Sequence, residues 1–290
     1  MVTRVDATLA HSRLSGDLLE RQVQLACVLE VSAAKPGNIT PAHDFSDTTY
    51  ADMVRSALAL GPVFARRRVL ERSVGELIAD GVDATSHVAA ANTNLGIVLV
   101  FAPLVRAAAT RQSDEPLRSA VERILARLDV DDAAAAFAAI ASAQPGGLGD
   151  APEHDVRAPA RVSLREAMAA AAHRDSIAAE YESGYAIVFD TGLPLLDGAL
   201  RKGGSTLDAI VTLHVGLLSC HPDTLIARKA GAEAARAVSA AAREVRDGTR
   251  SLADFDASLR ADGNRLNPGT TADLVAATLL AALLDGSRLP

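Results

Sequence analysis

Residues 92–109 read NTNLGIVLVFAPLVRAAA, an amide-rich start that runs straight into an apolar segment. Leu95 to Val105 is the longest apolar run in the chain, interrupted by Pro103 and ended by Arg106. It falls short of the ~18 residues that suggest a membrane span, and it lacks the period-two alternation of a half-buried strand. The reading is a helix buried on most sides, which other elements must enclose. Working outward, Ala, Leu, Arg and Glu dominate, aromatic residues make up only 3% and Trp is absent, so the enclosing elements are helices too. The expected fold is all-α, a single multi-helix bundle domain over residues 1–290.

At 290 residues and 49% hydrophobic content the chain can bury a full core. A net charge of −7 argues against nucleic acid as a partner, because that binding needs a basic surface to displace counterions from phosphates. Cys27 and Cys220 lack the CxxC spacing of a zinc site and read as buried thiols in apolar helices. With no apolar signal core near residue 1 and no membrane span, a cytoplasmic protein is the expectation, and a homo-oligomer stays open.

Helix signals recur along the chain. Asp17 and Glu20 form a capping-box pattern for a first helix with Leu18, Leu25 and Leu29 on one apolar side, and Thr49 with Asp52 repeats the pattern for a second helix that Pro62 should kink or end. Val74, Leu77 and Ile78 mark a third helix, and Leu117, Val121, Ile124 and Leu128 share the inner face of another. Residues 144–160, rich in Pro and Gly, read as a long loop. Ser163 and Glu166 restart a helix through His173 to Tyr181, and further helices are expected over Thr206–Ser219, Asp223–Asp247, Leu252–Asp262 and Thr271–Leu284.

Polar islands interrupt this background. Glu30–Asn38 reads EVSAAKPGN: Pro36 stops a helix, Gly37 permits a tight turn against a ligand, and Glu30, Lys35, Asn38, His43 and Asp44 bring carboxylate, cation, amide and imidazole into one helix end and its loop. Asn92, Thr93, Asn94 and Gly96 open the buried helix, whose unpaired N–H groups and dipole attract anions. Arg174 and Asp175 form an adjacent opposite pair in HRDSIAAEY. Asp223 reads as a helix cap, with Arg228 and Lys229 about one and a half turns on and available to phosphates. Asn267-Pro268-Gly269 turns into a last helix carrying Asp273. There is no Walker loop, GxGxxG, HExxH or GxSxG elbow.

Taken in order, Glu30-Val31 with Lys35-Pro36-Gly37, Asp44, Asn92-Thr93 with Gly96, Asp223-Thr224 with Arg228, and Pro268-Gly269 with Ala272-Asp273-Leu274 resemble the triphosphoribosyl-dephospho-coenzyme A synthase family. The resemblance implies an all-α transferase that moves the triphosphoribosyl group of ATP to dephospho-CoA and releases adenine. One segment departs: the citrate-lyase type has Asn-Thr-His-Lys-Gly where this chain has Asn94 and Leu95. That motivates a second expectation, the same transfer to another small-molecule acceptor in biosynthesis of a one-carbon carrier such as a pterin or furan. A third, from another class, is a non-catalytic helical nucleotide-binding protein.

Cleaving a nucleoside's glycosidic bond creates positive charge on the sugar carbon, so carboxylates, a proton for the base and cations for the phosphates are all required. Glu30 or Asp44 is expected to activate the acceptor or stabilise that charge. Lys35, Arg228 and Lys229 are expected to hold phosphates, and Asn38, Asn92 and Asn94 to position oxygens. Mg2+ is the expected cofactor, on Asp44 or Asp273.

Overall fold

The computed structural model describes residues 16–89, 94–143, 153–287 and 289. In chain order, α1 (Gly16–Ser32), α2 (Tyr50–Val63), α3 (Arg66–Glu71) and α4 (Val74–Ser86) lead to α5 (Leu95–Thr110). Next come α6 (Leu117–Leu125), α7 (Val130–Ala143), α8 (Leu164–Ala171), α9 (Ser176–Ser183), a π-helical segment (Ile187–Gly192) and α10 (Leu193–Arg201). The last five are α11 (Thr206–Cys220), α12 (Thr224–Ala230), α13 (Ala232–Arg246), α14 (Leu252–Arg260) and α15 (Gly269–Leu284). The fold is all-α: no strand occurs among the described residues, whose one isolated bridge pairs Thr40 with His43.

The two most apolar helices lie at the centre, because a helix without a polar face has no side to give to water. Both α5 and α15 are buried along almost their whole length, and they run parallel. Asp273 meets Gly96 at their N-terminal ends. At their C-terminal ends Arg111 pairs with Asp285 at 2.7 Å and donates to the Leu284 carbonyl at 2.8 Å. α1 is antiparallel to α15, since Gln22 near its start donates to Leu283 O at 2.8 Å. The end of α1 and the starts of α5 and α15 therefore come out on one side of the molecule. A smaller apolar cluster of Val215, Leu218, Ile226, Ala235, Val238, Ala242, Phe255 and Leu259 joins α11–α14 to this centre through α11.

Pro103 leaves a mark that the packing repairs. It lies inside α5 and has no N–H, so the Leu99 carbonyl one turn back loses its helical donor. Tyr181 Oη donates to Leu99 O at 2.6 Å and Tyr185 Oη to Val100 O at 2.8 Å; both tyrosines are fully buried. Tyr185 reaches this place from a left-handed backbone, φ +63°, straight after Gly184. Glu180, also fully buried, accepts hydrogen bonds from the Ile187 and Val188 N–H groups at the start of the π-helical segment, and burial pushes its pKa up to about 7.

The structure corrects several local readings. α1 buries Leu19, Val23, Ala26 and Cys27, whereas Leu18 and Leu25 are exposed: two stripes of helical spacing exist on α1, and packing on α2 and α15 selects the other one. Asp175 caps α9, so the stretch from Ser163 to Tyr181 is two helices, and Gly231 at φ +94° divides the stretch from Asp223 to Asp247 into α12 and α13. The π-helical segment and α10 had no clear sequence signal. Cys27 is buried as read, but Cys220, last in α11, is exposed.

Two outcomes follow. Tyr181→Phe leaves a buried carbonyl unpaired and should cost about 1–3 kcal/mol in a urea melt. In a Pro103→Ala background that loss should shrink, because alanine at this position restores the N–H donor, and a double-mutant cycle reads the difference. For Glu180 the folded pKa lies above the unfolded 4.5, so its contribution is fully present below about pH 4.5 and is lost as pH rises through about 7. Glu180→Gln should flatten stability against pH over this window, by roughly 3 kcal/mol.

Candidate active site

A cavity of about 700 Å3 opens where α1 ends and α5, α9 and α15 begin. Its lining includes Glu30, Asn38, Gly96, Arg174, Asp175, Arg228, Lys229, Gly269 and Asp273, so residues from every predicted polar island with described coordinates meet in one place. Apolar surface comes from Ile39, Phe45, Met53, Leu99, Phe137 and Met168, among others.

Glu30 is delivered by the last turns of α1. It is 3% exposed and pairs through Oε1 with Lys35 Nζ at 2.9 Å; Lys35, 1% exposed, also donates to the Glu30 carbonyl. The cation thus sits beneath the carboxylate and holds it. Gly37 makes this possible at φ +73°, in the left-handed region that glycine enters without strain, and a Cβ there would press on Leu259 and Pro268. Asp256 of α14 accepts from the Gly37 N–H at 2.8 Å and pairs with Arg260, which donates to Asn38 O at 2.8 Å. These contacts fix the Lys-Pro-Gly turn against the Asn-Pro-Gly turn that starts α15. Behind them, His214 of α11 is fully buried, and burial together with nearby Lys35 pushes its pKa down to about 3, leaving a neutral imidazole.

At the start of α5, Gly96 leaves room for a carboxylate. A Cβ there would collide with Asp273 Oδ2, so Asp273 rests directly on the helix start because Gly96 has no side chain. Burial, and then the Glu30 charge, push the Asp273 carboxyl well above the usual carboxylate range. Asp223 performs a different task below: buried, it caps α12 through Ile226 N–H at 3.0 Å and accepts from Thr271 N–H and Oγ1 at 2.7 and 2.8 Å. One carboxylate thereby ties the starts of α12 and α15 together.

The cations stand along the wall made by α9 and α12. Asp175 caps α9 with Oδ1, at 2.8 Å from Ile177 N, and pairs with Arg228 Nη1 through Oδ2 at 2.5 Å. Lys229 reaches the Asn264 carbonyl at 3.5 Å. Arg174 is exposed at the cavity and has no ion-pair partner among the described residues.

The remaining predicted residues fall in three places. Lys35, Gly37, Asn94 and Asp223 support the lining without belonging to it, and Asn94 is buried with Nδ2 unpartnered among the described residues. His43 and Asp44 are exposed outside the cavity; Asp44 accepts from the Tyr50 N–H at 2.6 Å, which leaves it a turn residue before α2. Asn92 and Thr93 lie outside the described residues. Sequence reading passed over Asp47, His154, Asp155 and Asn264 in the lining. His154 and Asp155 lie within the Pro- and Gly-rich stretch of residues 144–160, where a loop rather than a helix pattern is the available signal, and Asn264 shares its turn with Asn267.

Residues 17–289 match the family described as CitG, ATP:dephospho-CoA triphosphoribosyl transferase. A solved structure from Archaeoglobus fulgidus, provisionally described as a triphosphoribosyl-dephospho-CoA synthase, is 28% identical, with a TM-score of 0.65 over 80% of this chain and 99% of that one. No curated protein gives a match. With the profile spanning nearly the whole chain and the islands gathered around one cavity, the chain belongs to the ATP:dephospho-CoA triphosphoribosyl transferase family.

Proposed function

We propose that this transferase moves the triphosphoribosyl group of ATP to a ribose hydroxyl of dephospho-CoA and releases adenine. The observation that carries the reading is that Glu30, at the end of α1, and Asp273, seated on Gly96 at the joined starts of α5 and α15, line one cavity with Arg174, Arg228 and Lys229. The Glu30 carboxylate stands ready for a cationic sugar carbon, and Arg174, Arg228 and Lys229 stand ready for a polyphosphate. The apolar lining suits the purine and the uncharged arm of the acceptor.

Arg228, oriented by Asp175, together with Arg174 and Lys229, would bind the triphosphate, and the N–H groups at the starts of α5 and α15 would add to the field. Glu30 keeps Oε1 on Lys35, which orients the carboxylate to stabilise the developing charge at C1′ and to take the proton of the acceptor hydroxyl. Asn38 would position sugar oxygens. No group of three or more His, Cys, Asp or Glu side chains that could hold a metal occurs among the described residues, so Asp273 would offer a hard cation a single carboxylate beside the phosphates of the substrate. Magnesium, when bound there, would neutralise phosphate charge.

Incubating the purified protein with ATP, Mg2+ and dephospho-CoA should release adenine stoichiometrically with the triphosphoribosylated product, followed by chromatography. Absence of adenine at protein concentrations that bind ATP rejects the reading. Glu30→Gln should lower kcat by about 10²–10⁴-fold with little change in ATP affinity. Affinity for Mg2+ with ATP, measured by calorimetry, should rise with pH as Asp273 gives up its proton, because only the ionised carboxylate holds the cation. Asp273→Asn should weaken that binding and remove its pH dependence.

A further inference from the structure

His154 is the histidine among the described residues that lines the cavity, and it does so from an unusual backbone. Its φ is +52°, in the left-handed region, where a non-glycine residue is strained and persists only if its surroundings hold it. The segment is held: Val156, two residues on, packs against the core cluster that contains Phe137, Ile140 and Met168, and Asp155 is tied to Arg157. Phe137, Ile140, Val156 and Met168 also line the cavity, so the segment that carries His154 borders an apolar part of the lining that suits a flat, uncharged ring system. Several other ionisable groups of the lining have different commitments: Glu30 is bound to Lys35, Arg228 to Asp175 and Asp155 to Arg157, Asp273 rests on the start of α5 and is assigned above to the cation, and Arg174 cannot release its proton.

A purine leaves its sugar as a neutral molecule only when a proton reaches a ring nitrogen as the C1′–N9 bond breaks. We propose that His154 is that proton donor, acting on N7 of the adenine of ATP; this rests on the reaction proposed above. The C1′–N9 bond breaks with its electron pair moving to the purine, and the imidazolium N–H passes its proton to N7. The acceptor oxygen forms the new bond to C1′, and its proton goes to Glu30. One proton leaves His154 and one arrives on Glu30, and exchange of that proton with solvent restores both groups. Adenine and the triphosphoribosylated acceptor are the products.

A donor whose base needs no proton separates this role from a structural one. N7-methylated ATP carries a positive purine that departs unaided. In His154→Gln, adenine release from ATP should fall about 10²–10⁴-fold while release of 7-methyladenine from the methylated donor falls less than about 10-fold. His154→Gly, which takes φ +52° without strain, should show the same split between donors with a thermal midpoint at or above that of the unmodified protein. Equal losses with both donors, or no loss with ATP, overturn the assignment. If the unmodified protein itself releases no adenine from ATP, the proposed reaction has failed and His154 falls with it; adenine release that survives in the variants overturns the histidine alone.

Discussion

Parallel packing of α5 against α15 is the constraint from which the rest of the molecule follows. Two apolar helices laid side by side in the same direction put both positive dipole ends at one place and both negative ends at the other, which is unfavourable unless each end meets an opposite charge. At the N-terminal side the Asp273 carboxyl is seated on Gly96, and at the C-terminal side Arg111 supplies the opposite charge by binding Leu284 O and Asp285. The same arrangement brings both helix starts to the floor of the cavity, which Gly96 and Gly269 help to line. Antiparallel packing of the pair would have separated those helix starts by the length of a helix and left no shared anion site.

Charge burial around this floor runs against stability. Glu30, Lys35, Asp223 and His214 are all nearly or fully buried, and removing ions from water costs more than a typical hydrogen bond returns. Each is nevertheless placed: Lys35 under Glu30, Asp223 across two helix starts, His214 as a neutral ring near Pro36 and Lys35. Asp273 has no ion-pair partner among the described residues, and burial, followed by the Glu30 charge, pushes its carboxyl far up. The apolar core of α5 and α15, repaired at Pro103 by Tyr181 and Tyr185, provides the rigidity that holds this unfavourable cluster in place.

Much of this could be read one residue at a time. The helix starts at Thr49, Ser163, Ser205 and Ser251 have side-chain caps, three of them full capping boxes, because such caps depend on residues three apart. Pro36-Gly37 and Pro268-Gly269 were legible as corners, since the chemistry of Pro and Gly is local. The buried face of α1 was not legible: its two apolar stripes are equally helical, and the choice belongs to α2 and α15. Asp44 and His43 looked like site residues because they stand near Lys35 in the chain, yet the turn before α2 sends them outward, whereas His154, far off in sequence, comes in.

The sequence by itself determined the all-α class, most helix boundaries and the corners where the chain turns, because periodicity, capping and the backbone limits of Pro and Gly act within a few residues. Only the tertiary structure decided which corners share a cavity, that Lys35 holds Glu30 while Asp223 ties helices together, and that Asp273 rests on Gly96. Those outcomes depend on distances between residues that lie up to more than two hundred positions apart, set by how the helices pack and not by any local preference.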